Sequence, residues 1–312
     1  MPNILRKLNS FTAMRVKYGS YAVIASGAVT GPYTVNYAVI AGGGGTIRVN
    51  GGGSGGGGGA GGFRSSVSPT GGGGSPESEL SFVAPSGISL TITVGAGGAS
   101  SARYDNGTVG VNSSIIGGAV SITSNGGGYG SIGNYSSRNG GAGGSGGGAG
   151  QSNAPTYSAS GGSGTANQGY AGGANGNGDA WAGGAGGGAG GVGADTTGST
   201  AVTQVGGNGG AGVSNNITGT SQTYSCGGRG GSSSYNQNYG NNASGWSATA
   251  NTGNGMSGSD NGNGHSGVVI LKYSSSFAAL TGGSGLTFAS PVISGGFQIY
   301  TFTDGLGSVT LP

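Results

Sequence analysis

The sequence predicts a mainly β protein with little helix, in which both chain ends build a β-sandwich-like framework around an inserted bundle of polyglycine II (polyproline II-like) rods. Three observations predict it. Glycine supplies 84 of the 312 residues and is densest across residues 126–264. Apolar, β-rich segments bracket that stretch on both sides. Charged residues are only 5% of the chain, whereas disordered chains are usually kept soluble by charge. Glycine loses more backbone freedom on folding than any other residue, and it has no side chain to bury in return. Order in such a chain must come from backbone packing, and function from what the packed backbone displays.

Taken in order, residues 1–20 form a docking segment. Ile4, Leu5, Leu8, Phe11 and Met14 recur at spacings of three and four, with Arg6 and Lys7 between them. That spacing fits a short amphipathic helix packed on its own domain or docked on a partner subunit. Leu5, Leu8, Phe11 and Met14 are its candidate contacts. Residues 21–125 are an N-terminal β framework with the first glycine runs. Tyr33, Val35, Tyr37 and Val39 alternate onto one face of a strand, and residues 21–25, 46–49, 80–84 and 88–94 are further strands. Residues 115–123 read as one interrupted strand. Each strand feeds a glycine run, without the fixed period of a solenoid. Residues 126–265 alternate glycine runs with Ser/Asn/Tyr connectors and show no sustained β pattern. Residues 266–312 return to strands at 268–273, 286–288 and 297–302, completing the framework.

The glycine runs exclude familiar rods. Collagen needs glycine at every third position with abundant proline, and only 8 prolines are present. Helices are disfavoured by about 1 kcal/mol per glycine, and glycine weakens strands as well. The extended helix with three residues per turn remains, and such rods can bond side by side because no Cβ keeps them apart. At about 3.1 Å per residue, the runs at 51–62, 140–150 and 183–193 span roughly 34–37 Å each. Ala60, Ala142, Ala149, Ala185 and Ala189 are expected at outward or spacious positions.

Composition excludes several function classes. The net charge is +3, and four of the ten basic residues fall within the first 17, so the body lacks a basic face for nucleic acid. No apolar run approaches a membrane span, and the N-terminus lacks the apolar core of a secretory signal. A single Cys226 allows no intrachain disulfide. His265, the only histidine, lies near Asp260 and Ser266 but lacks a buried orienting acid, and nothing near Cys226 would depress its thiol. Matches to G-x-G-x-x-G arise by chance in such a chain, and no phosphate-loop G-K-[S/T] follows. Asp179, Asp195 and Asp260 are too scattered for calcium repeats. The expectation is a protein without enzymatic activity, cofactor or metal.

The informative side chains are aromatic. Tyr129, Tyr135, Tyr157, Tyr170, Trp181, Tyr224, Tyr235, Tyr239 and Trp246 lie in or beside the Ser/Asn-rich connectors. Tyr with Ser, Gly and Asn is the composition of antibody binding loops, and aromatic faces with Asn suit sugar rings. The same rings could instead cap the ends of the glycine bundle. Both readings stay open at this stage.

Residues 37–45 (YAVIAGGGG), then a dense glycine run, then 90–98 (LTITVGAGG) and 265–273 (HSGVVILKY) resemble the glycine-rich domains of tailed-phage fibre proteins. They are also similar to the receptor-recognising tip adhesins of T-even-type long tail fibres. The terminal QIYTFTDG at 298–305 looks like a piece of phage fibre ends. The resemblance covers roughly residues 35–275. It implies a packed polyglycine lattice whose inter-motif segments bind the host, a virion location, and a host glycan or outer-membrane protein as partner. Other virion subunits would be bound through the N-terminal segment. The chain departs from the adhesins in lacking a Trp-rich attachment domain at its start. A capsid or tail decoration (head-fibre) protein is the alternative, and assembly with further copies of itself is left open. An ice-binding bundle is disfavoured, because no regularly repeated Thr face is present.

Overall fold

Strict alternation makes the first strand, β1 (Gly31–Ile40), and puts Tyr33, Val35, Tyr37 and Val39 on one buried face. The computed structural model describes residues 29–47, 55–101, 105–132, 139–151, 158–176, 182–198, 203–232, 240–260 and 262–312. Residues 1–28, with Leu5, Leu8, Phe11, Met14 and the strand expected at 21–25, lie outside them. Among the described residues there is no helix.

The other strands follow in chain order as β2 (Phe63–Ser65), β3 (Leu80–Ala84), β4 (Ser89–Val94), β5 (Ser113–Gly117), β6 (Val120–Ser124), β7 (Val213–Asn215), β8 (Gln222–Tyr224), β9 (Val268–Ser274), β10 (Thr281–Gly282), β11 (Leu286–Phe288), β12 (Val292–Ser294) and β13 (Phe297–Thr310). All but β7 and β8 join one antiparallel sheet ordered β2-β1-β9-β13-β4-β5-β6, with β3 on β1 and β10, β11 and β12 on β13. Both ends of the chain therefore do build one β framework. It is a single sheet that nearly closes on itself. The Arg64 guanidinium on β2 donates to the Thr123 carbonyl on β6 (3.1 Å), and Ser124 Oγ donates to the Val39 carbonyl on β1 (2.7 Å). β13 turns the corner that closure requires. It pairs with β9 up to Phe302 and with β4 from Gly305, where φ is +98°. Only glycine adopts that conformation without strain.

The enclosed face of the sheet holds the main core, including Leu90, Ile92, Ile115, Leu271 and Phe302, all fully buried. Tyr273 and Tyr300 lie parallel within it, centroids 5.9 Å apart. A second core covers the opposite face of β1 and β9, where Ala38, Ile40, Val268 and Ile270 meet Phe63 and the β7–β8 ribbon through Val213, Ile217 and Tyr224. The ribbon lies within the stretch where no strand was expected, because its strands are three residues each and too short to show alternation. The expected interrupted strand at 115–123 is a hairpin, β5–β6, because Gly118 and Ala119 form its turn, with Gly118 at φ +58°. Of the strand expected at 46–49, only Ile47 is described as pairing, in a single bridge to Ser101.

The glycine runs continue the strands out of one end of the sheet. β1 runs into residues 41–47, β4 into 95–101 and β6 into 125–132, while 55–62, 105–112 and 262–267 lead back into β2, β5 and β9. These segments form no ladders. Along residues 55–62, Gly56, Gly59 and Gly62 donate to the carbonyls of Ser131, Gly128 and Asn125; Gly57 and Ala60 donate to Gly184 and Gly187; Gly58 and Gly61 donate to Met256 and Gly253. Every third amide thus reaches the same neighbour. The carbonyls of the segment accept from three others: Gly44 and Ala41, Ser145 and Gly148, Gly228 and Gly231. The segment is surrounded on all sides by backbone. Residues 183–189 repeat the scheme, with donations from Gly183, Gly186 and Ala189 to Gly231, Gly228 and Ser225.

One sequence expectation is corrected here. The runs at 140–150 and 183–193 are not single straight rods of matched length. The first bends at Gly144–Ser145 and the second at residues 189–191, so each folds back on itself, as the Gly147-to-Gly141 and Gly188-to-Gly191 bonds record. A run of glycines carries no residue that resists bending, so rod length is set by the neighbours. Of the alanines expected at outward or spacious positions, Ala142 is exposed, and Ala60, Ala149, Ala185 and Ala189 are fully buried within the bundle.

Candidate functional site

The rods run alternately away from the sheet and back, which sorts their ends. At the sheet end, Ala41 bonds to Gly62, Gly62 to Asn125, Gly267 to Gly95, and Ser225 to Thr252. At the far end, Ile47 bridges Ser101, Ala182 bridges Ser232, Gly56 donates to Ser131, Gly231 to Gly55, and Asn175 to Ala159. The described residues that flank the internal segments 48–54, 102–104, 133–138, 152–157, 177–181, 199–202, 233–239 and 261 lie toward this far end. Val29 and Pro312 lie at the opposite pole. Gly31 pairs with Ala84 there, and Tyr33 Oη donates to the Pro312 carbonyl.

This topology divides the nine aromatic candidates. Tyr135, Tyr157, Trp181, Tyr235 and Tyr239 fall in the segments joining far-end residues and lie outside the described residues. The other four are described. Tyr224 is 5% exposed and packs against Phe63 in the second core, centroids 6.0 Å apart. Tyr129 is half-buried against Gly141, where an added Cβ would strike its ring. Tyr170 sits at the sheet end of its rod, its amide donating to Gly188 and its carbonyl accepting from Gly146. Trp246 is half-buried, donates Nε1–H to the Gly255 carbonyl (3.0 Å), and meets His265 edge-on at 5.7 Å. For Tyr224, Tyr129 and Trp246, packing accounts for the ring.

Asparagine also acts inside the bundle. At three places an Asn-Gly pair grips a neighbouring rod. Asn139 Oδ1 accepts from the amide of Ser160 while Gly140 donates to the Ser160 carbonyl. Asn208 and Gly209 hold Asn241 in the same way, and Asn254 and Gly255 hold Cys226. The side-chain amide stands in for a missing backbone carbonyl, so each grip satisfies an amide that would otherwise be orphaned. The recurrence of Asn-Gly was visible in the sequence, but the pairing needs the neighbouring rod.

Electrostatically the bundle is quiet. Asp195 accepts the Ala174 amide, and Asp260 pairs with Arg229 at 3.2 Å. Among the described residues, no cluster of three or more His, Cys, Asp or Glu could hold a metal, and no helix is long and apolar enough to cross a membrane. The two groups weighed for catalysis are poorly set for it. Burial pushes the Cys226 thiol up to about 11, and its Sγ faces the Ser244 carbonyl. Burial holds His265 below the ordinary imidazole value. Beside the sheet, Arg64 and Glu77 form a bidentate pair (2.6 and 2.8 Å) to which Tyr37 Oη also donates (2.7 Å). They line an open polar cleft of about 830 Å³ with Ser75, Asn167 and Gln168.

A family model described as a glycine-rich domain matches residues 19–274. The match ends where β9 ends, so β10 to β13 fall beyond it. No curated protein matches the chain.

Proposed function

We propose, for a chain that belongs to the glycine-rich domain family, a non-catalytic role as a virion structural protein of a tailed phage. It acts there as a tail-fibre or fibre-tip adhesin that recognises a host surface glycan or outer-membrane protein. The observation that carries this reading is the division into two poles. Described residues flanking eight internal segments gather at the far end of the bundle, and five of the nine aromatic candidates fall within those segments in the sequence. The sheet and the residues next to the N-terminal segment occupy the other pole, suited to attachment to the particle. The glycine-rich sequence and its likeness to phage fibre proteins supply the virion setting. The three-residue hydrogen-bond repeat supports rods of the polyglycine II type; backbone dihedrals far from about −75° and +145° along residues 55–62 would overturn that part.

The test is competition. Purified protein adsorbs to host cells and blocks infection, and Tyr157→Ala with Tyr235→Ala abolishes adsorption while the unfolding transition is unchanged. Adsorption that persists without both rings removes the aromatic reading, and failure of the intact protein to compete removes the adhesin. A second reading, a capsid or tail decoration protein, draws on Val83, Val292, Ile293 and Leu306 of the sheet, each more than 60% exposed. Hundreds of copies on the head, rather than a few at the tail, would decide for it.

A further inference from the structure

Seven described Asn-Gly pairs lie in the bundle or at its ends: Asn106, Asn125, Asn139, Asn175, Asn208, Asn254 and Asn263 each precede a glycine. Asn-Gly is the dipeptide most open to deamidation, because the unhindered glycine nitrogen can attack the preceding side-chain amide. Its proton leaves to water, the nitrogen bonds to the Asn Cγ, and the side-chain nitrogen departs as ammonia. Water then opens the cyclic imide to aspartate or isoaspartate. An amide N–H that donates a good hydrogen bond is held away from this attack.

The glycine amides in six of the pairs are firmly held. Gly140 donates to Ser160 O (3.0 Å), Gly209 to Asn241 O (2.9 Å), Gly255 to Cys226 O (2.9 Å) and Gly264 to Gly98 O (2.8 Å). Gly126 donates to Asn112 Oδ1 (2.8 Å), and Gly176 to Thr196 Oγ1. Gly107 is the exception: its amide reaches the Gly130 carbonyl at only 3.4 Å, the edge of hydrogen bonding. Asn106 Oδ1 accepts the Ile132 amide at 2.9 Å, a donor placed where negative charge develops as the nitrogen attacks, but Asn139, Asn208, Asn254 and Asn263 each accept a backbone amide in the same way, so the loosely held glycine amide is what sets Asn106 apart.

We propose that Asn106 is the bundle's site of spontaneous deamidation, and that the lattice protects the other six pairs. The consequence falls at the far end. Conversion puts a second carboxylate beside Asp105, and the isoaspartyl form adds a backbone atom to a rod whose Thr108 and Val111 carbonyls must meet Gly45 and Gly42. That addition breaks the three-residue register, so the product cannot restore the original rod.

The experiment incubates the intact protein at mildly alkaline pH, natively and in denaturant, and follows each Asn-Gly by peptide mass mapping. In denaturant the seven pairs convert at similar rates. Natively, Asn106 converts about fivefold or more faster than Asn139, Asn208, Asn254 and Asn263, the factor that one net hydrogen bond of about 1 kcal/mol provides. Native conversion of Asn106 no faster than those four overturns the proposal. So does an equal lead for Asn106 in denaturant, which would make the effect local sequence rather than lattice. Asn50, Asn177 and Asn261, outside the described residues, are followed separately.

Discussion

Replacing Gly58 by alanine puts one methyl group at the centre of the bundle. An ideal Cβ on Gly58 would overlap the carbonyl oxygen of Gly44, which is backbone and cannot rotate away. The two rods must separate, and four bonds share that contact: Gly58 to Met256 O (2.7 Å), Gly228 to Gly58 O (3.0 Å), Gly44 to Gly59 O (2.8 Å) and Met256 to Gly44 O (3.1 Å). At about 1 kcal/mol net for each, their loss costs about 4 kcal/mol. Alanine restricts the unfolded chain and returns about 0.4–1 kcal/mol, leaving a net loss near 3 kcal/mol. That is a large share of a typical stability of about 5–15 kcal/mol and corresponds to roughly 6–12 °C in Tm. Gly191→Ala is the control, because its Cβ meets only Ala211 at 3.5 Å, an ordinary contact. Urea unfolding followed by circular dichroism compares the two. A Gly58→Ala protein whose midpoint matches Gly191→Ala or the parent would refute the claim that backbone contact holds the bundle together.

Three further predictions use the same unfolding assay or a simple label. His265 stays neutral in the fold because burial lowers its pKa, whereas the unfolded chain takes up a proton near pH 6.5. Stability from this residue is therefore constant above that pH and falls as pH drops below it; His265→Gln flattens the slope of the urea midpoint between pH 7.5 and pH 5.5. Cys226 is fully buried and its thiol is raised to about 11, so a thiol reagent at pH 8 labels it only as fast as the protein opens, and immediate native labelling contradicts the placement. Trp246→Phe removes the donor to the Gly255 carbonyl and costs about 1 kcal/mol without affecting adsorption to host cells; a loss of adsorption at unchanged stability would return Trp246 to the binding surface.

Much of the framework was legible in the sequence because alternation is a local signal. β1, β3, β4 and β9 coincide within a residue or two with runs such as Leu-Thr-Ile-Thr-Val, whose apolar members Leu90, Ile92 and Val94 all face the core. The β7–β8 ribbon was not legible. Val213, Ile217 and Tyr224 form an apolar set too short and too spread out to carry a period, and only the facing surface of β1 and β9 gives it a partner. The aromatic candidates show the same limit. Tyr224 and Tyr170 stand in the same kind of Ser/Gly-rich surroundings as Tyr157 and Tyr235, and composition cannot say which rod end a ring will occupy.

The sequence by itself determined the material: a backbone-packed interior, strands at both chain ends and a near-absence of charge, since all three follow from residue types and their local order. The tertiary structure alone decided the arrangement. A glycine amide has no side chain to specify its partner, so which rod it bonds to is fixed by six surrounding rods that arrive from distant parts of the chain. The same geometry decides where a run such as 140–150 bends and which asparagines become clamps.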